Sequence, residues 1–188
     1  MDELFREEYA IVLDFLPMGY ASSYKKEAIA QALGEKYFTL LELSVKPGVK
    51  LSLRDRVYIG KEKRDKIQYI KGKLDFSRLT ATARNELRDV VNEMVEQREK
   101  EFVDFFNKAG PITIRQHSLE LLPGVGKKHM FDILDEREKK NFESFKEISE
   151  RINLMPDPKR VIVDRILEEL QGNCKYYLFV KNPKIKRP

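Results

Sequence analysis

A short stretch between two apolar segments contains the residues best suited to binding an anion. Two glycines flank one valine and two lysines follow directly, in the order Gly124, Val125, Gly126, Lys127, Lys128. Glycine can adopt positive φ, so the chain can reverse direction here within very few residues. The first amides of a helix that begins near Gly126 have no intrahelical carbonyl to bond. These amides and the positive end of the helix dipole therefore predict a binding site for a phosphate oxygen.

Helices are predicted on both sides of this stretch. Upstream, a helical spacing of apolar residues should end before Pro123, which is poorly suited to a helix interior. Downstream, Met130, Ile133 and Leu134 recur at i, i+3 and i+4, the period of one helix face. The two lysines then lie in the first turn, where cations oppose the helix dipole. That local cost is easier to explain if an anion binds there.

The segment Leu122-Pro123-Gly124-Val125-Gly126 resembles the hairpin of the helix–hairpin–helix motif, whose signature is Leu-Pro-Gly-Val/Ile-Gly followed by small or basic residues. The resemblance implies sequence-independent contact with a nucleic-acid backbone through the amides around the two glycines. Met130 departs from the small residue that family members often have near this position. The alternative interpretation is a plain connection between two helices, without a ligand.

A second helical pair follows, with its interruption at residues 153–158. The apolar spacing predicts one helix over 141–152 and another over about 161–170. The interruption lacks a Gly-x-Gly pair, so this second hairpin could hold the fold without touching phosphate. Its Lys159 and Arg160 could still make a simple charge contact. The two pairs together resemble a tandem helix–hairpin–helix unit.

The composition excludes several classes of site. The chain has 188 residues, of which 41% are hydrophobic and 36% charged, and its single cysteine is Cys174. An intrachain disulfide and a cysteine-rich zinc site are therefore excluded. We expect no metal site, no cofactor and no catalytic residue, because no spacing of carboxylates or histidines supports one. The absence of a long apolar run or signal peptide predicts a cytoplasmic protein without membrane contact.

Basic residues are concentrated in two segments of an otherwise acidic chain. Residues 46–78 hold eleven Lys or Arg and four Asp or Glu, and residues 175–188 hold five basic residues and no acidic one. Such segments attract a polyanion, although they could also simply solvate loops and edge strands. Tyr58 and Tyr69 lie in the first segment and could stack on bases or pack in the fold. The candidate nucleic-acid-binding side chains of this segment are Arg54, Arg56, Lys61, Lys63, Arg64, Lys66 and Lys73.

The N-terminal half is predicted to form a small antiparallel barrel. Short apolar or alternating runs separated by turn residues indicate strands. The predicted strands cover residues 9–16, 37–45, 49–53, 57–60 and 67–74. Residues 24–33 could be a short helix or an inserted loop. This half looks like an OB-like barrel, a fold commonly used for single-stranded nucleic acids.

The complete prediction is an α+β fold with an OB-like β-barrel followed by a helical helix–hairpin–helix domain. The barrel covers residues 1–79, and one long connecting helix, with Thr80 or Thr82 as its N-cap, lies within 80–110. The helix–hairpin–helix domain covers 111–174. A late strand and a basic tail occupy 175–188.

This order of elements resembles an archaeal family of uncharacterised proteins labelled as predicted RNA-binding. The residues that carry the resemblance are the Leu-Pro-Gly-Val-Gly hairpin and Val57-Tyr58-Ile59-Gly60, and Asp157-Pro158 is a less specific match. It implies a non-catalytic protein that contacts the phosphate backbone and prefers RNA to DNA. Two alternatives remain open. One is a DNA-repair-type enzyme using Lys127, Lys128 or Asp157, and the other is an interaction module of a ribonucleoprotein or repair complex.

Overall fold

The protein divides into two compact units. The structure is a computed structural model that describes residues 3–181. The sheet unit comprises Met1–Val90 and Glu168–Pro188, and the helical unit comprises Val91–Leu167. The α+β class predicted from the sequence is confirmed, since residues 3–181 form five strands in the larger sheet and five α-helices.

The sheet unit is built on a curled antiparallel sheet of five strands. The strands are β1 (Tyr9–Leu16), β2 (Ile29–Gly34), β3 (Leu40–Val45), β4 (Arg56–Tyr58) and β5 (Ile67–Lys73). Their spatial order is β4-β1-β2-β3-β5, so β4 and β5 are the two edges of a half-barrel. Register shifts in β1 and at the pairing of β3 with β5 mark irregularities of the bulge type, which bend strands. Buried side chains such as Val12, Leu43 and Val57 fill the concave core.

Strand β2 corrects the expectation of a helix or an inserted loop over residues 24–33. All six residues of Ile29–Gly34 are buried, so the alternation of apolar and polar residues that marks a half-buried strand is missing. Residues 49–53 also differ from the prediction, because residues 49–52 are irregular and a turn follows at residues 53–54. In that turn the backbone amide of Ser52 donates to a carboxylate oxygen of Asp55 at 2.9 Å.

The long connecting helix predicted within residues 80–110 is in fact two helices. Helix α1 (Ala81–Gln97) is followed by α2 (Glu99–Lys108), and Arg98 between them has the non-helical angles φ −111° and ψ 30°. The Thr80 hydroxyl accepts from the amide of Ala83 at 3.1 Å, which confirms Thr80 as the N-cap of α1. The apolar stripe runs across the break, which explains why spacing alone did not reveal it.

The helical unit contains a small two-stranded β-hairpin and the helices that follow it. Strands β6 (Pro111–Thr113) and β7 (Gln116–His117) pair with each other, and a 3₁₀ turn follows at Ser118–Leu121. The α-helix expected just upstream of Pro123 is therefore wrong, because only this single 3₁₀ turn forms. The remaining helices are α3 (Lys127–Lys139), α4 (Phe145–Arg151) and α5 (Pro158–Leu170).

The late strand predicted near residues 176–180 does not form in the described part of the chain. After α5 the chain runs as an irregular segment to Lys181. The Lys181 amide donates to the carbonyl of Tyr37 at 3.3 Å, so the end of this segment is bonded to the connection between β2 and β3. The predicted basic tail lies largely at residues 182–188, outside the described residues.

None of the helices in residues 3–181 combines the length and the apolar composition needed to cross a membrane.

Candidate nucleic-acid interface

The first hairpin, residues 122–126, is a tight turn followed directly by a helix. The Val125 amide donates to the carbonyl of Leu122 at 3.0 Å, and Gly124 has φ +81°. Proline at the second position and a positive φ at the third are the features of a type II turn. Val125 is 4% exposed, so its side chain anchors the hairpin in the core of the helical unit.

Helix α3 begins immediately after this turn and has no side-chain cap. Its N-cap residue is Gly126, and the first helical bond runs from the Met130 amide to the Gly126 carbonyl at 3.0 Å. Five backbone amides at this end have no hydrogen-bond partner within residues 3–181. They belong to Gly124, Gly126, Lys127, Lys128 and His129. We call this group the hairpin amides.

The structure therefore modifies one part of the predicted site. Val125 was expected to offer its amide to a ligand, but that amide already bonds Leu122 within the turn. Gly124 and Gly126 are exposed, as are the side chains of Lys127 and Lys128. The ammonium group of Lys128 lies 3.2 Å from Asp132, one turn further along α3. At this distance and exposure the ion pair is weak enough for the lysine to exchange partners.

His117 caps the 3₁₀ turn that precedes the first hairpin. The Nδ1 atom of His117 accepts from the amide of Leu119 at 3.1 Å, and Glu120 accepts from the His117 amide at 3.0 Å. Burial lowers the pKa of His117, and the charge of Arg137 lowers it further. The neutral imidazole can accept this bond, whereas the protonated ring cannot.

The second hairpin, residues 152–157, lies against the first. A Cβ atom placed on Gly124 would be 3.1 Å from Cγ of Pro156. Leu154 has φ +56° and is 85% exposed at the tip of this hairpin. One carboxylate oxygen of Asp157 accepts from the Lys159 amide at 3.0 Å, so Asp157 caps helix α5. This role was missed from the sequence, although an Asp-Pro pair before an apolar stripe is a recognised signal of a helix start.

The predicted arginines of the sheet unit have acidic partners. Arg54 lies 2.7 Å from Glu86 and 3.2 Å from Asp89. Arg56 lies 2.6 Å from Glu35, and its guanidinium carbon is 3.5 Å from the centre of the Tyr9 ring. Their positive charge is therefore partly neutralised within the protein.

The predicted lysines of the sheet unit are more accessible. We call residues 59–66, between β4 and β5, the basic loop. Lys61, Lys63 and Lys66 are exposed there, while the Arg64 side chain donates to the carbonyl of Gly60 at 2.9 Å. Lys73 lies near the end of β5 and is half-buried.

The two tyrosines proposed as stacking residues differ in their surroundings. The Tyr58 hydroxyl accepts from the Glu62 amide at 3.1 Å, and its ring lies edge-on to Tyr9. This residue therefore braces the basic loop. Tyr69 is 42% exposed, and its hydroxyl donates to Glu27 at 2.8 Å. Of the two rings, that of Tyr69 is the more accessible to a base.

Two other groups of converging amides each hold a carboxylate of the protein itself. Glu7 is 0% exposed and accepts from the amides of Lys36, Tyr37 and Thr39 at 2.8–3.3 Å. Burial raises the pKa of Glu7, while these hydrogen bonds act in the opposite direction. A Cβ atom on Gly34 would be 2.2 Å from this carboxylate, which explains the glycine there.

The second such carboxylate, Glu169, is also 0% exposed. It accepts from three consecutive amides of the C-terminal segment at 2.6–2.9 Å. These amides belong to Leu178, Phe179 and Val180. Neither Glu7 nor Glu169 was singled out from the sequence, because an isolated glutamate in a charged chain carries no signal.

The described residues contain no group of three or more His, Cys, Asp or Glu side chains that could hold a metal ion. The predicted binding residues thus lie mainly in two features, the hairpin amides and the basic loop.

These features define an α+β protein with a curled antiparallel sheet and a helical unit containing two hairpins. The chain matches the family described as "Protein of unknown function (DUF655)" over residues 6–181, and it belongs to that family. An uncharacterised protein from Methanocaldococcus jannaschii is 51% identical over 177 residues, which are 93% of this chain and 80% of the relative. The crystal structure of a protein from Archaeoglobus fulgidus, described under the same family, has a TM-score of 0.85 and 46% identity. That alignment covers 93% of this chain and 100% of the other. Both relatives come from archaea, so the expected archaeal family of uncharacterised proteins is confirmed.

Proposed function

We propose that this protein binds nucleic acid without catalysing a reaction, mainly by contacting the phosphate backbone at the first hairpin. RNA is the preferred partner. The observation that carries the proposal is the set of five hairpin amides without a partner in residues 3–181, at the exposed start of α3. Amides in this arrangement, with the positive end of the helix dipole, suit a phosphate oxygen.

The side chains around the hairpin support an anionic ligand. Lys127 and Lys128 follow the N-cap directly and are exposed. A lysine in the first turn is unfavourable for the helix by itself, because its charge and the dipole have the same sign. A bound phosphate reverses this interaction, since both the lysine and the amides are then attracted to it.

The sheet unit supports the preference for RNA. Its open, five-stranded antiparallel sheet is compatible with an OB-like barrel, a fold that binds single strands with a basic groove and aromatic platforms. Lys61, Lys63 and Lys66 supply accessible charge, and Tyr69 supplies a partly exposed ring. These contacts are not specific for a base sequence, so the proposed binding is largely sequence-independent.

The hairpin can be blocked without straining the fold. A Cβ atom on Gly126 meets no atom within 4 Å, and its φ of −91° is open to any residue. Gly126→Leu therefore places a side chain in front of the hairpin amides. Gly110→Leu is the matched control, since Gly110 also has open space around its Cβ position and lies in the same unit. Fluorescence anisotropy with a labelled oligouridine measures the affinity of both variants.

We expect Gly126→Leu to weaken binding by at least about tenfold, which corresponds to roughly 1.4 kcal/mol, while Gly110→Leu binds like wild type. Circular dichroism and thermal melting establish that both variants remain folded. Equal affinities of the two variants would remove the hairpin from the binding site. If unlabelled DNA of the same sequence displaced the RNA as effectively as unlabelled RNA does, the preference for RNA would be wrong.

A further inference from the structure

We propose that Asp157 is a built-in anion that closes the second hairpin to phosphate and so limits the helical unit to one backbone contact. This inference rests on the proposed function. It assigns Asp157 a role in setting how much of a nucleic acid the unit engages. The residue is exposed, and it lies in the loop that packs on the first hairpin.

At the start of α5, a carboxylate of the protein already bonds one of the amides that an external anion would bind. The carboxylate of Asp157 accepts from the Lys159 amide at 3.0 Å, and the Val161 amide bonds the Asp157 carbonyl at 3.0 Å. Pro158, the first helical residue, has no amide proton to offer. A phosphate oxygen would therefore meet no amide proton at Pro158, an already bonded amide at Lys159 and the negative charge of Asp157.

The start of α3 shares the first backbone bond to the N-cap carbonyl but differs in its cap and in its first residue. Its N-cap is Gly126, which has no side chain, and its first residue, Lys127, keeps its amide proton. Within one unit, the two hairpins thus present an open helix start and a closed one. At the start of α5, the carboxylate of Asp157 occupies a position that a bound anion could otherwise take.

The positive side chains near α5 would favour a backbone contact if the carboxylate were neutral. Lys159 lies 3.8 Å from Glu96, and Arg160 lies 3.7 Å from Asp164. Both distances are long for ion pairs, so either side chain can turn toward a phosphate. The charge of Asp157, together with the missing amide proton of Pro158, therefore distinguishes the second hairpin from a second binding point.

Asp157→Asn tests this because asparagine caps a helix about as well as aspartate but carries no charge. The probe is a labelled oligouridine, titrated at several salt concentrations. We expect about two- to fivefold tighter binding and a steeper dependence on salt, by about 0.7 in the logarithmic slope, for one additional phosphate contact. Asp157→Ser, another good neutral cap, should behave in the same way.

The charge control is Glu138→Gln, which makes the same change in net charge at the opposite end of α3 from the first hairpin. Glu138 is exposed. We expect Glu138→Gln to leave both the affinity and the salt slope near those of wild type. An equal gain in this variant would overturn the proposal, because net charge alone would then explain the effect.

The double variant Gly126→Leu/Asp157→Asn separates a new contact from reduced repulsion at the first hairpin. If the second hairpin gains a contact, the double variant binds more tightly than Gly126→Leu alone. If Asp157→Asn increases affinity only when Gly126 is unchanged, the proposed role of Asp157 at the second hairpin is wrong. Absence of binding by the wild-type protein would instead refute the proposed function itself, so the two failures are distinguishable.

Discussion

In the described part of the chain, converging backbone amides are bonded to carboxylates in the sheet unit but have no partner at the first hairpin of the helical unit. In the sheet unit, two groups of three amides each surround a buried carboxylate, that of Glu7 or of Glu169. In the helical unit, the hairpin amides face solvent, and the structure gives them no partner within residues 3–181. The same backbone chemistry is thus satisfied internally in one unit and left available in the other.

This difference shows why the hydrogen-bond and ion-pair partners of a group tell more about a candidate anion site than its charge alone. The sheet unit contains the most basic segment of the sequence, yet Arg54 and Arg56 have carboxylate partners. The hairpin has only two adjacent lysines, but its amides are open. An unsatisfied group of donors therefore identifies a candidate anion site better than a count of basic residues does.

The largest effect is expected from removing one of the internal carboxylates. In Glu7→Gln, the new side-chain NH₂ group is a donor and cannot accept a hydrogen bond. At least one of the three backbone amides therefore loses its acceptor. The free energy of unfolding should fall by about 3 kcal/mol, as urea denaturation can measure. The neighbouring Glu8→Gln, at an exposed position, should stay within about 0.5 kcal/mol of wild type. If both variants unfolded alike, internal satisfaction of these amides would not be a main source of stability.

The next effect comes from giving the hairpin its own carboxylate. Gly126→Asp supplies a side-chain cap for α3 and a negative charge at the proposed phosphate position. Affinity for oligouridine should fall by at least about tenfold, while the melting temperature rises slightly because aspartate is the better N-cap. Gly126→Asn, a neutral cap, should raise stability similarly and lose less affinity. A gain in stability without a loss of affinity would show that the hairpin amides do not bind the ligand.

A smaller effect should separate the lysines from the arginines of the sheet unit. Replacing Lys61, Lys63 and Lys66 together with glutamine should reduce the logarithmic salt slope of binding by about 2, if each contacts one phosphate of a single strand. The double variant Arg54→Gln/Arg56→Gln should change the slope less, since both side chains are engaged with carboxylates. Salt titrations of the two variants test this ranking, and a larger change in the arginine variant would reverse it.

The smallest effect concerns pH and distinguishes two carboxylates of the sheet unit. Hydrogen bonds from Ser44 and Tyr69 lower the pKa of Glu27 from 4.5 to about 2, despite an opposing effect of burial. Its contribution to stability is therefore present above pH 4.5 and is lost as the pH falls toward 2. Burial raises the pKa of Glu7, so its contribution instead decreases as the pH rises above 4.5.

Thermal melts of wild type and Glu27→Gln across this range provide the measurement. The difference in stability between the two proteins should shrink as the pH is lowered from 4.5 to 2. A constant difference would mean that Glu27 is not held in its ionised form by its neighbours.

The local elements of the fold were largely predictable from the sequence. The apolar run of residues 9–16 matches β1 residue for residue, and Thr80 was one of the two N-cap candidates, the other being Thr82. The Pro-Gly-Val-Gly turn was also found, because proline and glycine at fixed positions restrict the backbone directly. Strand β2 was missed because it is buried on both faces, so no period distinguishes it from a helix.

The state of each candidate side chain was not predictable, since it depends on distant partners. Arg54 meets Glu86, 32 positions further along the chain, and Glu7 meets Thr39 across a similar separation. Local sequence does not encode such pairs. The occupied amide of Val125 and the open one of Gly126 differ only in turn geometry, which a residue pattern describes incompletely.

The attachment of the C-terminal segment has a practical consequence for work with shortened chains. Glu169 is fully buried, and the three consecutive amides of residues 178–180 donate to its carboxylate. Cutting the chain before residue 178 would remove these three donors from the carboxylate. A truncation chosen to trim an irregular end would thereby weaken the sheet unit, so expression variants should retain this segment.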